Sequence, residues 1–147
     1  MRPIRVEQVV AAAPPRVWAA WTTAGGLAAW WWPHLPDTQY AVDARPGGGY
    51  EIKSGGAGIG VRGRFERVDE PHELAFSWVW LTGTEEEPED RVTVELTDLG
   101  QNTTRVVVTH EMHSTDSGDS YRQGWADVLA RLGGVAVASP GNRPASG

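Results

Sequence analysis

The sequence predicts an α+β fold in which a curved antiparallel sheet of about seven strands wraps a long C-terminal helix, with two short helices after the first strand. Three observations predict it. Apolar residues recur at helical spacing only near the two ends of the chain, in the stretches around Trp18 and Trp125. Between them, from about Gln39 to Met112, the period is two, with turn residues separating the runs. Each of the better-defined runs also carries one heavily apolar side, and a sheet of that kind needs an amphipathic partner to cover it.

The elements follow in order. Ile4 to Val10 reads as a strand, and Pro14-Pro15 then stands where a helix tolerates proline, because the N–H groups of a first turn have no partner within the helix. Val17, Trp18 and Trp21 make one apolar stripe, Gly25-Gly26 is expected to end that helix, and Leu27 to Trp31 forms a second before Pro33. Six strands are expected over Tyr40 to Val42, Tyr50 to Lys53, Val61 to Val68, Leu74 to Trp80, Val92 to Thr97 and Arg105 to Met112. Finally Tyr121, Trp125, Val128, Leu129 and Leu132 fall on one face of a helix over about Ser120 to Leu132, ended by Gly133-Gly134. One domain is expected over residues 1–134, with a flexible Pro/Gly/Ser-rich tail over 135–147.

Alternation assigns the faces. Leu74, Phe76, Trp78 and Trp80 share one side of their strand, against the smaller Ala75, Ser77 and Val79. Val106, Val108, His110 and Met112 share a side of theirs, as do Val92, Val94 and Leu96. Arg62 and Arg64 fall on the outer side of the third expected hairpin strand. One helix about 10 Å wide cannot fill a broad concave sheet, so a leftover space is expected between the two.

Composition excludes several classes of function. The formal charge is −6 with no Lys/Arg run, and its field would repel phosphate backbones and anionic headgroups. No nucleic-acid or membrane partner is expected. No stretch approaches the roughly 18 apolar residues of a spanning helix and there is no signal-peptide pattern, so a cytoplasmic location is expected. The chain has no cysteine, which removes disulfides and zinc-thiolate sites.

Two motif matches fail on physical grounds. Gly58, Gly60 and Gly63 fit G-x-G-x-x-G, but a strand and not a helix follows, so no dinucleotide cofactor is expected and the glycines are assigned to turns and bulges. His110 and His113 are one position too close for H-E-x-x-H and lie on a strand, where they point to opposite faces. No cofactor and no metal are expected. Glu85 to Asp90 is read as a solvated hairpin loop.

Six sequence blocks, Pro15 to Trp21, Leu27 to Pro33, Arg45 to Tyr50, Glu70 to Trp78, Thr104 to Glu111 and Gly124 to Leu132, occur in an order that resembles START-like (SRPBCC) proteins. The resemblance is to the branch similar to the C-terminal domain of the activator of heat-shock protein 90 ATPase, and it covers about residues 4 to 134. It implies the helix-grip fold and a cavity between sheet and C-terminal helix that relatives use for lipids, polyketides or hormones. Fold alone implies no reaction. A chaperone partner enters only through the eukaryotic co-chaperone, whose preceding domain engages the chaperone, whereas this sequence begins at the first strand.

The leading expectation is therefore binding of a small apolar ligand, a lipid, polyketide-like or aromatic molecule. Trp78, Trp80, Phe65, Phe76, Met112, Trp31 and Trp125 are expected as walls, with His110 or Tyr50 fixing orientation. His110 is alternatively a satisfied core histidine. A cyclase- or hydratase-type enzyme would use His110, Tyr50 or Tyr121 as acid or base, but no second titratable group is expected beside His110 and no residue is assigned as catalytic. A third reading is a co-chaperone-like interaction module in stress response, with Trp30 to Trp32 and the acidic loop facing a partner; homodimer formation through a strand edge is compatible with any of these.

Overall fold

The computed structural model describes residues 2–82, 85–112 and 118–138. Strand β1 (Arg2–Val10) is followed by helices α1 (Pro14–Thr22) and α2 (Ala24–Trp30). Then come β2 (Thr38–Val42), β3 (Gly49–Ser54), β4 (Ile59–Asp69), β5 (Glu73–Thr82), the two-residue β6 (Glu85–Glu86), β7 (Asp90–Asp98) and β8 (Thr104–Met112). Helix α3 (Gly118–Ala138) is the last described element. All pairings are antiparallel, in the order β1-β8-β7-β5-β4-β3-β2 with β6 attached to β5. This is the α+β arrangement expected from the alternation, and the helix-grip fold that the resemblance implies.

Three local expectations change. Helix α1 ends at Thr22, three residues before Gly25, because Thr23 leaves the helix with an extended backbone and caps α2 through its Oγ1, which accepts from Gly26 N–H at 2.9 Å. Gly26 serves close packing instead of termination: a Cβ there would overlap the Ala19 carbonyl of α1. Helix α3 continues through Gly133-Gly134 to Ala138, so glycine did not stop it. The third concerns the acidic stretch, where Glu85 and Glu86 are exposed as expected but Asp90 opens β7 and is only 4% exposed. His113 and the remainder of the expected tail, residues 139–147, lie outside the described residues.

Gly63 shows what the dinucleotide-like glycines do. The β4–β5 register shifts between Phe65 and Arg67, and beside that bulge the Arg64 N–H donates to Ser77 Oγ at 2.9 Å while the Tyr50 hydroxyl donates to the Ser77 carbonyl at 2.7 Å. A Cβ on Gly63 would overlap that same carbonyl. Only glycine admits so close an approach of two strands.

The core lies between the concave face of the sheet and the helices. Leu74, Val92, Val94, Val106 and Val108 supply its floor, and Leu129 and Leu132 of α3 close over it. Trp21 of α1 stacks on Trp125 of α3 at 6.2 Å between ring centroids and meets Trp30 edge-on at 4.8 Å, so the two short helices join the long one through indoles. Among the described residues, no helix is long and apolar enough to cross a membrane.

Candidate functional site: an aromatic cavity beside a buried Asp–His pair

A half-open cavity of about 270 Å³ lies where β5, the end of α2 and the first half of α3 meet. The sheet contributes Trp78 and Trp80, which share a face of β5 and stand nearly parallel, 6.4 Å apart. The α2–β2 connection contributes Trp31 and Trp32. Tyr121, Gly124, Trp125 and Val128 come from α3, at the i, i+3, i+4 and i+7 spacing of one helix face, and Glu87 lies on the rim strand connection.

Trp32 is held there at a cost. Its φ of 53° is left-handed, a conformation that costs a bulky L-residue roughly 1–2 kcal/mol. Its ring packs at right angles to Trp80, 5.7 Å away. Trp30 and Trp31 on either side of the helix end are buried, Trp30 with its Nε1–H donating to the Ala20 carbonyl at 2.9 Å. The three consecutive tryptophans thus divide between core and cavity: Trp30 and Trp31 are buried, not exposed as the interaction reading required, and Trp32 alone stays partly exposed, on the cavity.

Behind the cavity wall lies a buried polar relay. His110 is wholly buried, and its Nδ1 accepts from Trp125 Nε1–H at 3.0 Å. An indole can only donate, so Nδ1 carries no proton and Nε2–H donates to Asp90 Oδ2 at 2.8 Å. His110 is neutral in this arrangement. Asp90 is the titratable neighbour that the sequence reading did not expect; it reaches the site because it sits two residues before Val92, which pairs with His110, and therefore on the same face of β7. The Tyr121 ring covers His110 at 4.5 Å.

Tyr121 is the hydroxyl nearest the cavity. Burial, opposed by the nearby Trp78 indole and reinforced by the Asp90 and Glu87 carboxylates, raises its pKa to about 12. It is protonated throughout the physiological range. The Trp78 Nε1–H lies close enough to influence the phenol but makes no well-formed hydrogen bond among the described residues; Trp21 and Trp31 Nε1–H likewise make none among them.

The expected wall residues separate into two groups. Trp31, Trp78, Trp80 and Trp125 line the cavity. Tyr50, Phe65 and Phe76 pack against one another, with centroids 5.2 to 5.8 Å apart, around a second void of only about 20 Å³, room for about one water. These three, with buried Met112, belong to the core. Burial pushes the Tyr50 hydroxyl well above its ordinary pKa, and that hydroxyl is spent on the Ser77 carbonyl. His110 does not line the cavity and both of its ring nitrogens are engaged by protein, so it does not orient a ligand directly. Glu87 and Trp32 line the cavity without having been named among its walls, and Tyr121, expected only as an acid or base of the enzyme reading, lies on its wall. No cluster of His, Cys, Asp and Glu suited to a metal occurs among the described residues.

Comparison with known proteins places this geometry in a family. DynU16, a protein in the dynemicin biosynthetic locus, superposes with a TM-score of 0.78 at 22% identity, covering 92% of this chain and 47% of its own. This chain thus spans about half of DynU16. CalU16 from Micromonospora echinospora superposes at 0.72 with 25% identity, covering 93% and 77%. A Rhodobacter sphaeroides protein gives 0.78 at 21% identity, covering 93% of both chains. No curated protein sequence gives a significant match. The sequence model of the Activator of Hsp90 ATPase homolog 1-like proteins matches residues 11–136, and the chain belongs to that family, within the START-like superfamily.

Proposed function

We propose that the protein binds a small apolar molecule in the cavity between β5 and α3. The observation that carries this reading is the lining itself: six aromatic side chains and one aliphatic surround about 270 Å³ of space that is half-open to water. Large aromatic surfaces left partly wet cost free energy in proportion to their area, and an apolar guest removes that cost. The strained backbone of Trp32 favours the same reading, since strain that packing does not require tends to collect at binding sites.

The volume limits the guest. A cavity of about 150 Å³ holds benzene, so this one suits a molecule of one or two rings, or a short branched chain, and a four-ring polyketide would need the walls to move. The test is quenching of tryptophan emission on titration with naphthols, flavonoid fragments and medium-chain fatty acids. Saturable binding near 1:1, weakened at least about fivefold by Trp80→Ala, is expected; Trp80 is partly exposed, so the variant should fold. Absence of saturable binding across the panel would remove the reading.

A cyclase- or hydratase-type reaction in the same cavity has one observation in its favour, the protonated Tyr121 hydroxyl on the wall. Turnover of a bound ligand that Tyr121→Phe abolishes while leaving affinity within about twofold would select that reading; equal turnover in the variant would exclude Tyr121 as donor.

A further inference from the structure

Gly124 lines the cavity, and neither the backbone nor the packing of the described residues requires a glycine there. It lies inside α3, where glycine is the poorest helix former after proline because its chain loses the most freedom on folding. Its φ is not left-handed, so the backbone would accept any L-residue with a side chain. A Cβ at Gly26 or Gly63 would overlap a neighbouring carbonyl, whereas a Cβ at Gly124 would have no described atom within 4 Å. That Cβ would stand on the same helix face as Tyr121, Trp125 and Val128, at the exposed edge of the cavity. Glycine at this position therefore weakens the helix, and its one local effect is open space over the backbone of α3.

We propose that Gly124 sets the width of the guest: the missing side chain leaves a shelf of bare helix backbone on which a fused two-ring body rests, across the cavity from the indoles of Trp78 and Trp80. Glycine is the usual residue where a backbone must come close to a ligand. A benzene-sized guest needs only about 150 Å³ of the roughly 270 Å³ present. It can sit against the indoles clear of the shelf, whereas a fused bicycle cannot, so position 124 discriminates by size. A methyl group there would narrow the space for the wider guest alone, and a larger side chain would occupy it. This inference deepens the apolar-ligand reading and rests on it.

The test titrates the full chain and its Gly124→Ala, Gly124→Leu and Gly134→Ala variants with 2-naphthol and with the one-ring 3-methylphenol, following the indole N–H resonances, and measures thermal unfolding alongside. Gly134 is the control, since it also lies inside α3 with open space at its Cβ but does not line the cavity. Both alanine variants should raise Tm, as Gly→Ala does at a helical site that accepts a side chain. Gly124→Ala should weaken 2-naphthol at least about fivefold while leaving 3-methylphenol within about twofold. Gly124→Leu should abolish naphthol binding, and Gly134→Ala should change neither ligand. Unchanged naphthol affinity in Gly124→Ala would overturn the inference and leave the apolar cavity standing. An equal loss for both ligands, or a lowered Tm, would overturn it too, because the glycine would then be serving the helix and not the guest. If neither ligand binds the unsubstituted chain, the width inference fails, and the flavonoid fragments and fatty acids decide separately whether the cavity reading fails with it.

Discussion

Tyr121 and Tyr50 carry the largest consequences of burial at the scale of single residues. Unfolded tyrosines ionise near pH 10, whereas burial raises Tyr121 to about 12 and Tyr50 well above its ordinary value. Above about pH 10 the unfolded chain therefore holds fewer protons than the folded one, and stability falls as pH rises. Below that pH both contributions are fully present; the Tyr121 contribution is lost by about pH 12 and that of Tyr50 continues to fall. The urea midpoint should decline between about pH 9 and 11.5, and less steeply in Tyr50→Phe. A flat profile would mean that neither phenol is enclosed as described. At this scale the sequence was informative about aromatic placement and weak about polar placement. Trp78 and Trp80 were legible as inward residues because period two fixes a face. Asp90 was not, because four acidic neighbours made the stretch look solvated; continuing the Val92, Val94, Leu96 alternation back by one step would have placed it inside.

The Asp90–His110–Trp125 relay joins β7, β8 and α3, and so acts at the scale of elements. Each link has one donor and one acceptor of fixed identity, which sets both the imidazole tautomer and the angular position of α3 on the sheet. Asp90→Ala would leave the His110 Nε2–H buried without this acceptor and should cost at least about 2 kcal/mol in urea unfolding. Asp90→Asn, which keeps an acceptor oxygen, should cost less. A loss under about 0.5 kcal/mol for Asp90→Ala would show that the relay does not anchor the helix. Element order and sheet direction were readable from period changes alone, while ends were not. The break between α1 and α2 fell at Thr23, where a side-chain cap competed successfully with the glycines, and α3 passed through Gly133-Gly134. Glycine permits a stop but does not compel one.

At the scale of the whole molecule, the concave sheet is filled at one end and open at the other. Around Tyr50, Phe65 and Phe76, where Trp21 of α1 and Leu27 of α2 help complete the core, only about 20 Å³ is left, whereas about 270 Å³ remains between Trp78, Trp80 and α3. The sequence indicated leftover space but not its location, because that depends on where α2 ends relative to β5, a tertiary fact with no local signature. Indole N–H resonances test the resulting account most directly. The chain has eight tryptophans, and single Trp→Phe variants assign their signals in a proton–nitrogen correlation spectrum. On titration with a naphthol, Trp31, Trp32, Trp78, Trp80 and Trp125 should shift together with one saturation curve, while Trp18, which is buried away from the cavity lining, and Trp30, whose N–H is held by the Ala20 carbonyl, stay in place. Shifts confined to Trp18 and Trp30, or no shift of the cavity set at saturating ligand, would contradict it.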